Sequence, residues 1–125
     1  MNVAVIRLRQ MNIIAQWNVY ASKKGGPRQE VCAKLHCPEV DPRSKHGDFR
    51  TLAHLDGISK SRHKMGVNSM QSLVLGLSML QLQVECAMAD GWIFFFDETA
   101  TEPFDLLGAI TPPSHATRDS HPPDE

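Results

Sequence analysis

Cys32, His36, Cys37 and His46 lie within fifteen residues of one another, and thiolate and imidazole are the ligands zinc prefers. Their spacing argues against a metal centre. Neither a Cys-x-x-Cys pair nor a His-x-x-x-His clamp is present, and on a strand Cys32 and Cys37 point to opposite faces because side chains alternate. The simpler reading is a buried Cys37, a surface His36 and a loop His46. Nucleophilic catalysis needs a cysteine or serine whose base and orienting acid converge. Three cysteines and six histidines supply candidates, but no recognisable pattern. His54 and His63 can approach each other across a hairpin, yet two histidines on a solvated face are ordinarily no more than that. No glycine-rich phosphate loop follows a strand, and Lys23-Lys24-Gly25-Gly26 lacks the spacing of a P-loop. The residue pattern therefore assigns no catalytic residue, no metal and no cofactor.

Two other groups concern binding. Lys60, Arg62 and Lys64 share one strand face, and a positive strip of that kind can contact phosphates. It lacks interleaved aromatic side chains for stacking bases. A solvated face, or an edge guarded against aggregation, is the simpler account of it. The formal net charge of -1 adds no global reason to expect nucleic acid or an anionic membrane as partner.

The second group is apolar. At roughly 100° per residue, Met70, Leu73, Val74, Leu77, Leu80, Val84 and Met88 form one stripe of a helix, and Leu75, Met79, Leu82 and Cys86 form another about half a turn away. A helix lying on one sheet needs a single stripe. The second, a candidate interface, must be covered by Phe104, Leu106, Leu107 and Ile110 of the same chain, by a second copy, or by another protein. The stretch from Asn68 to Val84 carries no charge, which raises the question of a membrane span. Its Asn68, Ser69, Gln71, Ser72, Ser78, Gln81 and Gln83 are too many polar groups for hydrocarbon, so a buried helix is the reading.

The elements that position these groups follow from periodicity. Ala15, Trp17, Val19 and Ala21 alternate with polar residues as a half-buried strand does. A turn at Lys23 to Pro27 follows, and Val31, Ala33, Leu35 and Cys37 form the inward side of a second strand ended by Pro38. After a polar loop, Phe49, Thr51, Ala53 and Leu55 resume the alternation. Asp56-Gly57 suits a primed hairpin turn, with a return strand from Ile58 to about Met65. Asn68 and Gln71 have the spacing of a helix-entry box, and Gly91 closes the helix after Asp90. Trp92 to Phe96 reads as a strand buried on both faces or lying centrally under the helix, and Pro103 to Ile110 as a short helical turn or extended cover. The fold class is α+β: a mostly antiparallel sheet of four to five strands with one long helix packed across it.

The helix entry Gly66-Val67-Asn68-Ser69-Met70-Gln71-Ser72-Leu73 resembles that of a family of short uncharacterised bacterial proteins, a domain of unknown function whose entry reads approximately Gly-Val-Asp-x-x-Gln-Ala-Leu. The likeness runs from about Val31 to Phe96. Asn68 stands in place of the family's Asp and Ser72 in place of its Ala, changes that preserve capping and close packing. The resemblance implies a fold and no activity. Gly66, Asn68 and Gln71 are read as structural helix-entry residues rather than as a ligand site.

A chain of 125 residues fits one domain. Residues 11–110 are expected to form it, with 1–10 an extension upstream of an alternative start at Met11 and 111–125 a disordered tail of Pro, Ser, Thr, His and acid. Three cysteines without a framework argue for a reducing, cytoplasmic setting. The reading that follows is a non-enzymatic bacterial interaction module, dimeric or bound to another protein, with an immunity-type role as the specific guess by analogy of size and class. A phosphate- or nucleic-acid-contacting module is the alternative, and a small enzyme the third.

Overall fold

Residues 12–112 are described by the structure, a computed structural model. The extension, the alternative start and nearly all of the tail fall outside those residues. Six strands run in chain order before and after one long helix: β1 (Ile13–Lys23), β2 (Gln29–His36), β3 (Glu39–Val40), β4 (Phe49–Asp56), β5 (Arg62–Gly66), α1 (Ser69–Ala89), β6 (Trp92–Phe95) and a single-turn α2 (Leu106–Ala109). β1 pairs antiparallel with β2 and with β6, β2 with β4, and β4 with β5. β3 carries on from β2 past Pro38 and pairs with the start of β4. The sheet is therefore an antiparallel meander from β1 to β5, to which β6 is added beside β1 after α1 has crossed one face.

Alternation decides which side of the sheet α1 covers. Val19, Ala21, Val31, Ala33, Leu35, Thr51, Ala53, Leu55 and Phe94 are buried on that side, and Leu80, Val84 and Ala87 of α1 and Leu106 of α2 close the core over them. The opposite side carries Gln16, Asn18, Lys34, His36, Arg50, His54 and His63, and no helix among the described residues covers it. This is the division of faces that a one-sided antiparallel sheet requires.

Several local expectations are corrected. Asp56-Gly57 does not form a two-residue primed turn: Gly57 alone has positive φ, +103°, and the first pair beyond the turn is Ala53 with Arg62. The return strand thus begins at Arg62 rather than Ile58, because the Ile58 and Ser59 amides turn back onto the Leu55 carbonyl. β6 is an edge strand, not a central one. Its Phe95 is nevertheless buried, since Arg28 lies 3.6 Å from the ring centre and donates to the Glu98 and Ala100 carbonyls at 2.8 Å. Cys37 is exposed, because the chain leaves the strand alternation at Pro38.

The largest correction concerns α1. The side that meets the sheet takes only Leu80 and Val84 from the first stripe, with Leu73 and Leu77 packed at its margin. It runs from there toward the second stripe through Ser72, Gly76, Gln83 and Ala87. Close approach selects small residues there. A Cβ on Gly76 would lie 2.5 Å from Thr51 Cγ2, and one on Gly66 would strike the Ser72 backbone amide. Ser72 Oγ lies 3.0 Å from Thr51 Oγ1 and donates to the Ser69 carbonyl at 3.1 Å. Gln83 extends the sheet itself: its Oε1 accepts from the Leu55 amide at 2.8 Å, and its Nε2 donates to the Ala53 carbonyl at 3.3 Å. β5 pairs with β4 no further than Ala53, so this one side chain satisfies backbone groups that a longer strand would otherwise take.

Candidate functional site

α1 starts where its entry residues can serve its free amides. The Asn68 side chain accepts from the Gln71 amide at 2.8 Å, and the Gln71 side chain accepts from the Val67 amide at 2.7 Å. Gly66 lets the end of β5 sit against the first helical turn. With the entry fixed and Ser72, Gly76 and Gln83 turned down, the outward side of α1 is left with Met70, Val74, Leu82 and Met88, which are 74%, 58%, 47% and 41% exposed. Its one charged residue is Glu85.

The candidate interface stripe is split by this geometry. Leu75 and Met79 are half-buried, with Met79 packed against the core, whereas Leu82 and Cys86 are exposed. The C-terminal segment does not lie over the whole stripe. Leu106 enters the core, Phe104 packs with Trp17 and Phe96, and the Ile110 carbonyl accepts from Gln81 Nε2 at 2.8 Å on the far shoulder of the helix.

Beside the stripe lies a groove of about 430 Å³. Met79, Leu82, Gln83 and Cys86 form its helical wall, and Ser59, Lys60 and Arg62 the facing wall. The fold thus brings two of the three basic candidates against the apolar stripe, which the sequence reading treated as separate features. Lys64 is on the same face of β5 as Arg62, opposite Thr51, and stands outside the groove. Lys60 precedes β5 in the turn.

His36, His54 and His63 lie on the sheet face that α1 does not cover. His36 and His63 line a second groove, of about 410 Å³, with Cys37, Glu39, Arg50 and Leu52. Burial pushes the His36 imidazole below its ordinary range, assisted by Lys34, His54 and His63. Burial also lowers His63, assisted by Arg50. Both rings are therefore acceptors at neutral pH, but the arrangement lacks an orienting acid, since Glu39 is held by Arg50 at 2.8 Å. Cys32 lies on the same face, its thiol pushed up by burial, while His46 sits in the exposed loop after β3. Among the described residues, no three His, Cys, Asp or Glu side chains converge to hold a metal ion. The sequence reading missed Gln83 as a sheet-binding residue, and it did not connect His36 with His63. Only the strand register joins those two, across β4.

By length and composition α1 is long and apolar enough to cross a membrane. Here it is tied to the sheet through Ser72 and Gln83. The chain matches no protein-family model, and comparison with curated proteins and with solved structures likewise gives no match.

Proposed function

We propose that this chain is a non-enzymatic protein-interaction module that binds its partner through the outward side of α1. One observation carries the reading: a 21-residue helix presents Met70, Val74, Leu82 and Met88 to solvent with a single charge among them. Exposed apolar residues set singly on a surface are ordinary; here four large ones share one helix with the exposed Gln71, Ser78 and Glu85 between them, a mixed apolar and polar surface of the kind that protein contacts use. Full burial of each such side chain contributes roughly 1.5–3 kcal/mol, so a partner that covers several gains enough to bind stably. The occupant is a second copy of the chain or another protein, and an immunity-type role is the specific form of the second case. A cytoplasmic setting belongs to the same reading, supported by three free thiols. So does membership of the short bacterial family suggested by the helix entry.

Sedimentation of the full chain and of Leu82→Glu tests it. Self-association lost in a still-folded variant places a second copy on this side of α1. A wild-type monomer that gains solubility on substitution leaves it to a different protein. A monomer whose solubility and partner binding are both unchanged by Leu82→Glu contradicts the reading.

Phosphate or nucleic-acid contact by Lys60, Arg62 and Lys64 is the second reading. It is supported by the lack of a carboxylate within ion-pair distance of any of the three among the described residues. It requires binding that weakens steeply with salt.

A further inference from the structure

We infer that the groove between α1 and the β4–β5 turn takes an acidic, apolar-anchored peptide segment of a different protein. This rests on the reading that the outward side of α1 binds protein, and adds the chemistry of what is bound. Met79, Leu82 and Cys86 give the groove an apolar wall, and Lys60 and Arg62 face it across the opening. Among the described residues, no carboxylate lines it. That sets these two cations apart from Lys23, Lys34 and Arg50, each of which has a carboxylate oxygen within 3.1 Å. Two cations with no carboxylate partner among the described residues, beside an apolar wall, match a segment that alternates Leu-, Met- or Phe-type anchors with Asp or Glu. Charge complementarity of this sort selects partners as well as steering them.

A second copy of the chain fits less well. Every copy brings Lys60 and Arg62 to such a contact, and the outward side of α1 offers only Glu85 in return. Nucleic acid would satisfy the cations and leave the apolar wall without a counterpart. The wall spans Met79 to Cys86, roughly 10 Å at the helical rise, which suits about two turns of helix or three extended residues.

The experiment is selection of a displayed random 16-residue peptide library on the full chain, with binding of the enriched peptides then measured on wild type, on Lys60→Glu/Arg62→Glu and on Leu82→Ser. Both variants change exposed side chains, and their unfolding midpoints are measured alongside. The expected result is enriched peptides that are net acidic and rich in large apolar residues. Their affinity should fall at least about tenfold on each variant and weaken with salt. Net neutral or basic peptides that still lose affinity on Leu82→Ser overturn the acidic preference and leave the interface reading standing. Absence of enrichment, or binding indifferent to both variants, overturns both. Tight, salt-sensitive binding of a single-stranded oligonucleotide abolished by the double charge variant overturns the inference in favour of phosphate contact.

Discussion

The two sides of α1 blur the usual division of a surface helix. The side against the sheet is built on Ser72, Gly76 and Gln83, with Leu80, Val84 and Ala87 beside them. The side toward solvent carries Met70, Val74, Leu82 and Met88 together with Gln71, Ser78 and Glu85. Most helices on a sheet place their apolar ridge down and their charges up. Here half of the inward side, Ser72, Gly76 and Gln83, is small or polar beside the apolar Leu80, Val84 and Ala87, because it has two tasks that large apolar side chains cannot perform. It must let the backbone approach Thr51 closely, and it must satisfy the Leu55 amide and Ala53 carbonyl where β5 has ended. The apolar residues displaced from that side come to lie on its shoulders and on the outside.

If that contrast is right, the inward side should be intolerant of size and the outward side tolerant of charge. Gly76→Leu should have the largest effect, since its first side-chain atom would already lie 2.5 Å from Thr51 Cγ2. A cost of about 3 kcal/mol or more is expected from overpacking, enough to remove most of the stability of a small domain. Thermal unfolding by circular dichroism checks it. An unchanged midpoint would mean that α1 does not rest on Thr51.

Gln83→Leu should follow, at about 2 kcal/mol, because it keeps the volume and leaves a buried amide and carbonyl without partners. Chemical denaturation measures the loss, and hydrogen exchange at the Leu55 amide should accelerate with it. A neutral or stabilising outcome would show that Gln83 is not needed to complete the β4 edge.

A smaller effect belongs to the sheet face that α1 leaves open. His36 and His63 have folded-state values below the ordinary 6.5, so between those values and about 6.5 the unfolded chain binds more protons than the folded one. Stability should therefore fall as pH drops below about 6.5, and the fall should shrink in His36→Gln/His63→Gln. The window is separate from that of Asp90, whose carboxyl Lys23 holds below its usual 3.8. Titration of the unfolding midpoint against pH decides the matter. A midpoint flat through this range would place both rings fully in water.

Met70→Lys/Val74→Glu should have the smallest effect on stability, within about 0.5 kcal/mol, as expected for exposed positions. The same variant should change self-association or solubility. A large loss of stability would show that the outward side is covered.

The strand alternation, the helix and its entry at Asn68 were legible in the sequence, because burial on one face imposes period two on a strand and capping needs a particular side chain at a particular place. β1, β2 and β4 bury the side chains that their alternation marks at Val19, Ala21, Val31, Ala33, Leu35, Thr51, Ala53 and Leu55. The orientation of α1 was legible only in part, through Leu80 and Val84 of the first stripe. Apolar periodicity reports which side chains prefer to leave water, whereas its orientation on the sheet is fixed by backbone approach at Gly76 and by sheet edge groups that only the strand register defines. The groove was half legible: its apolar and basic walls were each recognisable, at Met79 and Leu82 and at Lys60 and Arg62. Their adjacency depends on the late start of β5, which the turn at Asp56-Gly57 conceals. β3 is only two residues long, too short for any periodicity to mark.

Methionine oxidation under dilute native conditions, read residue by residue by mass spectrometry, tests the orientation of α1 most directly. Met70 and Met88 lie on the outward side, and Met79 packs toward the core. The account expects Met70 to oxidise fastest, close to the rate of the unfolded chain, with Met88 slower and Met79 protected. Protection of Met70 and Met88 in a dilute monomer, with Met79 reactive, would mean that the helix rests on the side that carries Met70 and Met88 after all and that the outward face is not the one described.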